Sequence, residues 1–276
     1  MKIENICGGM GFTEGPTCLP DGRVAVTSIS HGCVYVVDPA GGSPEKIATG
    51  GGPNGLAVSA DGTMYVAQNG GIFGASGPAE SGIQVIENGR VDHLVTGMGA
   101  PNDLLFGPDG MLWVTDTRAE IDFFDPDESD RGWIWRIDVR TGAAEVVTDE
   151  GPVFLNGLGF DPAGSRLTVT STCLAQLWSY PVGPVGSPGW SSPEVLCTFE
   201  NGWPDGMAVT PAGSSWVALT GGDRVDLVDA AGEVVESIPV GAGSLPTNVC
   251  LGADDADELF VTASYQEALL RVRLSD

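Results

Sequence analysis

Six oxygen-bearing side chains occupy one position of a repeated pattern: Glu14, Asn54, Asn102, Asn156, Asp205 and Asn248. Eight residues beyond the first five stand Gly22, Gly62, Gly110, Gly164 and Gly213, and the sixth count ends on Ala256 within "DDAD". Carboxylate and amide oxygens without His or Cys suit a hard divalent cation, Ca²⁺ first and Mg²⁺ or Mn²⁺ next, with Zn²⁺ a further candidate. Glu14 and Asp205 supply two negative charges and the amides are neutral, so one 2+ ion would balance the set. Taken singly, each residue also fits a plainer role, an Asx-type hydrogen bond to a local turn. Six in register favour the ring.

The elements that must carry this ring are short strands. Each copy has the same texture, as in "NGLAVSADGTMYVAQ", "NDLLFGPDGMLWVTD" and "DGMAVTPAGSSWVALT": an apolar run, a turn and a second alternating run. Alternation around Asp-Gly predicts a β-hairpin with a two-residue turn. Runs such as "GCVYVVD", "GIQVIENG" and "GWIWRIDV" supply a third strand, and "EKIAT" or "AEVVTD" a fourth. Nothing of helical period reaches three turns. Markers 40 to 54 residues apart, six copies and four strands per copy predict an all-β, six-bladed β-propeller as a single domain over residues 1–276. A β-sandwich or two smaller β domains is the competing reading, and the shared offset weighs against it. The N-terminal "MKIENIC" is expected to complete the last blade, and the markers to stand just before each innermost strand.

Composition narrows the partners. Twelve basic residues against 37 acidic ones give a net charge of −25, which excludes a nucleic-acid or anionic-membrane partner. Six cysteines without a C-x-x-C pair read as buried thiols, and two histidines are too few for a triad or a His-rich metal site. No run of 18 apolar residues occurs and "MKIENICGGMGF" lacks an apolar signal core, so the expected location is cytoplasmic. The expected partner is a small molecule, with the chain a monomer or weak homo-oligomer.

Read together, "TEGPTCLPDG", "PNDLLFGPDG", "LNGLGFDPAG", "PDGMAVTPAG" and "LPTNVCLGADDADELFVTAS" resemble the gluconolactonase, senescence-marker and luciferin-regenerating-enzyme family of six-bladed propellers. The resemblance implies one metal in the channel, held by Glu14, Asn156 and Asp205, with Asn102 binding the metal or the substrate beside it. Asn54 and Asn248 fall to the pocket wall. One departure stands out. Sugar-lactone members read R-x-N-D-G, whereas this chain reads "APNDL", with Ala100 in place of the arginine and Leu104 in place of the glycine. An arginine suits a polar, oxygen-rich substrate. Two residues before each marker stand Phe12, Gly52, Ala100, Phe154, Trp203 and Pro246, an apolar second ring. Phe12, Ala100, Phe154 and Trp203 are therefore assigned to the substrate pocket, although packing between blades explains such a ring equally well.

The expected chemistry is metal-dependent hydrolysis of a lactone or related cyclic ester less polar than gluconolactone, with Asp205 as general base or as nucleophile and Asn102 beside it. Two other readings remain open: a scaffold recruited for another reaction, such as phosphotriester hydrolysis or a biosynthetic rearrangement, and a non-enzymatic binding platform. The acidic stretch "RAEIDFFDPDESDRG" lacks EF-hand spacing and reads as a solvated loop. By the resemblance, Phe123 and Phe124 within it belong to a lid, with Glu120 near a substrate-contact position.

Overall fold

The computed structural model describes residues 1–119, 121–127, 129–183, 193–253 and 257–275, so the Ala256 and Glu120 positions lie outside the described residues. Among the described residues, twenty-four strands form six four-stranded antiparallel sheets. Five sheets follow chain order. The sixth is assembled from both ends of the chain, Lys2–Cys7 pairing with Ala268–Arg273, so the N-terminal strand closes the ring as the sequence predicts. Among the described residues the one helical element is the 3₁₀ turn Ser264–Gln266.

The innermost strands are Thr13–Cys18, Pro53–Val58, Pro101–Phe106, Leu155–Phe160, Trp203–Val209 and Pro246–Leu251. Successive innermost strands pack on one another around the axis. The core lies between blades, where alternating side chains of facing sheets interdigitate. Tyr65 and Ala67 of the second blade meet Leu104, Leu112 and Val114 of the third, for example.

The hairpin turns differ from the two-residue expectation. In the first blade, Gly22 N–H donates to the Leu19 carbonyl and Leu19 N–H to the Arg23 carbonyl, enclosing a three-residue loop. The five turn glycines all have φ between 66° and 89°, while the Asp or Ala before each stays at negative φ. A two-residue type I′ turn needs positive φ at both positions. With only the glycine left-handed, the chain adopts a type I turn followed by a G1 bulge.

The markers also sit slightly off their expected place, being the second or third residue of each innermost strand. In all six blades the pairing register slips at or beside the marker. Such a bulge interrupts the alternation and re-aims one side chain, here toward the channel.

Close packing at the axis explains the glycine that follows four markers. A Cβ on Gly15 would lie 2.6 Å from the Asn54 carbonyl oxygen, and one on Gly157 would lie 2.7 Å from the Asp205 oxygen and 2.8 Å from Met207 N. Backbone atoms cannot step aside as a side chain can. Gly157→Ala is therefore expected to destabilise the protein by about 1–3 kcal/mol, read as a lower midpoint in guanidinium unfolding.

Candidate active site

The bulges bring five of the six markers to one end of the channel. Glu14, Asn54, Asn102, Asn156 and Asp205 line a cavity of about 210 Å³, with Thr172 and Thr220 beside them. Its remaining lining is apolar: Phe12, Ile29, Phe73, Phe123 and Phe154. None of these residues is Arg, Lys or His.

Hydroxyls from the second strands fix the marker backbones. Thr27 donates to the Asn54 carbonyl, Thr115 to that of Asn156 at 2.5 Å and Thr170 to that of Asp205 at 2.7 Å. Each bond crosses from one blade to the next, so the ring is held by its neighbours as well as by its own strands. The Asn156 amide donates to Thr172 Oγ1 at 3.2 Å and also hydrogen-bonds Asp205. Asp205 Oδ1 and Asn54 Oδ1 are buried and accept no hydrogen bond from the described residues.

Asn248 is not part of that lining. It lines a second cavity of about 260 Å³ along with Asp103, Pro16 and Cys250. Its Nδ2 donates to Asp103 Oδ2 at 3.4 Å, and it hydrogen-bonds Glu14 as well. The assigned pocket-wall residue is thus a bridge between a ring carboxylate and one behind it.

Three carboxylates, Glu14, Asp205 and Asp103, are only 5 %, 7 % and 8 % exposed. Burial raises the proton affinity of Glu14 and Asp205 well above the ordinary carboxylate range, and the negative charge of Asp103 adds to the effect on both. Burial likewise pushes Asp103 up to about 6, against the hydrogen bonds from Leu104 N–H and Asn248 that favour its ionised form. Buried negative charge facing orphaned oxygens is the environment of a cation site, and the donor set fits a hard divalent ion. The set is mixed carboxylate and amide; no group of three His, Cys, Asp or Glu that could hold a metal occurs among the described residues.

These shifts set the pH response of the metal-free protein. Raised carboxylates contribute stability that is complete below the unfolded value of about 4 and is lost as pH rises through their folded values. Melting scans in chelator are expected to show falling stability from about pH 4 to above 6, the value to which Asp103 is pushed. The stabilisation given by added Ca²⁺ should widen over the same interval.

Other expected residues divide. Phe12 and Phe154 reach the cavity wall. Trp203 stands outside the lining, its ring 5.2 Å from that of Phe123. Ala100 is wholly buried in its blade; its N–H donates to Asp116 Oδ1 at 2.7 Å and its carbonyl accepts from Thr117 at 2.8 Å. Sequence reasoning assigned Ala100 to the pocket because it shares an offset with Phe12, but Asp116 ties its backbone into the sheet instead.

In the acidic loop, Asp122, Asp125 and Asp127 are exposed, as a solvated loop requires, while Phe123 turns inward onto the cavity. All six cysteines are free thiols, two fully buried and four half-buried. His31 is occupied with Tyr35, 2.9 Å from its hydroxyl, and His93 is on an outer strand, so neither joins the site.

Two residues escaped the sequence reading. Asp103 carried a signal, because the position after the marker is Gly in four blades and Asp only here. Phe73 lies in a connecting loop outside the repeat and carried none.

A model of the SMP-30/gluconolactonase/LRE-like region matches residues 12–265. The chain is 25% identical to a gluconolactonase of Zymomonas mobilis, over 98% of this chain and 81% of that one. It is also 25% identical to a pentonolactonase of Haloferax volcanii, over 91% of this chain and 81% of the relative. Among solved structures, a calcium-binding regucalcin from Agrobacterium tumefaciens superposes with a TM-score of 0.75 at 19% identity, over 97% of this chain and 91% of that one. With the motif set, the six-bladed fold and a family match spanning nearly the whole chain, this protein belongs to the SMP-30/gluconolactonase/LRE-like family.

Proposed function

We propose that this chain is a divalent-metal-dependent hydrolase of a lactone or related cyclic ester. The observation that carries the reading is the cavity itself: two buried carboxylates and three amides converge on it, Asp205 Oδ1 lacks a hydrogen-bond partner, and no basic residue lines it. The activities named for the bacterial and archaeal relatives support lactone chemistry, and the calcium-binding neighbour supports a metal.

Glu14, Asn102, Asn156 and Asp205 would hold the ion, Ca²⁺ before Mg²⁺, Mn²⁺ or Zn²⁺. When bound, the ion supplies Lewis-acid polarisation of the substrate carbonyl and a counter-charge for the oxyanion. Asp205 accepts the proton of the attacking water. Asn156, fixed by Thr172, keeps the Asp205 carboxylate in place for that transfer. Asn54 and Asn102 present amide groups to the substrate's oxygens. The apolar lining excludes bulk water from the reacting centre.

The test is metal analysis of the purified protein paired with lactone hydrolysis before and after chelation. One divalent ion per chain is expected, with activity lost to chelator and restored by Ca²⁺ or Mn²⁺. A protein that stays metal-free in metal-replete buffer overturns the reading.

A further inference from the structure

We infer that the lactone taken by this site is uncharged and carries an apolar side group, which lies on an aromatic wall at the mouth of the cavity; the inference rests on the hydrolase reading above. The wall is continuous across four parts of the chain. Phe73 comes from the loop between the strands Met64–Gln68 and Gly82–Glu87, and its ring lies 5.4 Å from that of Phe154. Phe154 is 6.0 Å from Phe123, in the loop after Leu112–Asp116, and Phe123 is 5.2 Å from Trp203. Phe123 makes edge-to-face contacts with Phe154, Trp203 and Phe124, at 87°, 73° and 79°, an arrangement that orients each ring through its neighbours. Phe124 extends the wall outward, 84 % exposed and 6.2 Å from Trp203.

Phe154 holds this position at φ 53°, a left-handed conformation that a bulky side chain rarely adopts. Backbone strain of that kind persists where the surroundings enforce it, and it clusters at ligand sites. In the other direction, beyond the ring of carboxylates and amides the cavity offers few polar groups to a polyol. Its hydroxyl-bearing side chains are Thr172 and Thr220, and Thr172 is already engaged by the Asn156 amide.

Charge points the same way. The ionisable side chains that line the cavity, Glu14 and Asp205, are both acidic, and no Arg, Lys or His lines it to receive an anionic group. A substrate bearing a carboxylate would be repelled, and a neutral one with an apolar substituent is what the wall accommodates.

The experiment compares kcat/KM of the metal-loaded protein on glucono-δ-lactone, δ-valerolactone and an alkyl-substituted δ-lactone. It is repeated in Phe123→Ala and Trp203→Ala, with folding checked by melting. The alkyl lactone is expected to exceed both others by roughly tenfold or more, and each substitution to reduce the ratio of alkyl to unsubstituted turnover by a similar factor. Calorimetric titration with the corresponding alkyl and unsubstituted lactams gives a readout independent of turnover, and the alkyl lactam should bind more tightly.

Turnover of gluconolactone equal to or better than the alkyl lactone overturns the inference while leaving lactone hydrolysis intact. So does a ratio unmoved by both substitutions, or a lactam whose affinity ignores its alkyl group. Failure of the hydrolase reading has a different signature: none of the three lactones is hydrolysed, yet the alkyl lactam binds and Phe123→Ala releases it.

Discussion

Asp205→Asn is expected to lower lactone turnover by about a thousandfold or more, with the fold intact. The substitution keeps the side chain's volume and leaves the Thr170 bond to the residue 205 carbonyl in place, so the strand should not move. It removes two things at once. The amide cannot accept a proton from water, and loss of a positioned base costs typically 10²–10⁴-fold. One of the two carboxylates facing the cavity also disappears, which weakens the hold on a divalent ion. Saturating Ca²⁺ in the assay isolates the first effect from the second. A variant that retains most of its activity under saturating metal would remove Asp205 from the reaction.

Glu14→Gln is expected to move stability in opposite directions in calcium and in chelator. Without metal, Glu14 is a buried carboxylate facing Asp205 and Asp103, and desolvation and like charge both oppose its ionised form. A neutral amide of the same shape relieves that cost, so the variant in chelator should melt above the wild type at neutral pH. With calcium present the order reverses, because the wild type gains binding energy that the variant has lost. Ligand stabilisation amounts to about 2.7 kcal/mol at a hundredfold excess over Kd, and most of it should vanish in Glu14→Gln. The checking measurement is a pair of melting curves per protein, one in EGTA and one in millimolar Ca²⁺. Identical calcium shifts for the two proteins would exclude Glu14 as a ligand.

The sequence by itself determined the architecture. Period-two alternation, a glycine eight residues beyond each marker and six recurrences leave little freedom, because a four-stranded sheet with two apolar faces must pack between identical neighbours. Closure by "MKIENIC" was only hinted at in the chain, and its pairing with Ala268–Arg273 is what establishes it. The oxygen-rich ring was legible too, since equivalent positions in a propeller fall on one circle.

Tertiary structure decided which members of that circle share a cavity. A repeat offset fixes a residue's place along its strand, but the bulge at each marker sets its direction, and a bulge depends on the partner strand. Asn248 therefore reached Asp103 as well as Glu14, and Ala100 was drawn into the sheet by Asp116. The turn type likewise followed from the φ of the residue before each glycine, which the Asp-Gly pair alone does not fix. The aromatic wall was the least legible part. Phe73 and Phe123 come from loops outside the repeat, and only folding brings them against Phe154 and Trp203, because contacts between loops of different blades leave no periodic trace in the chain.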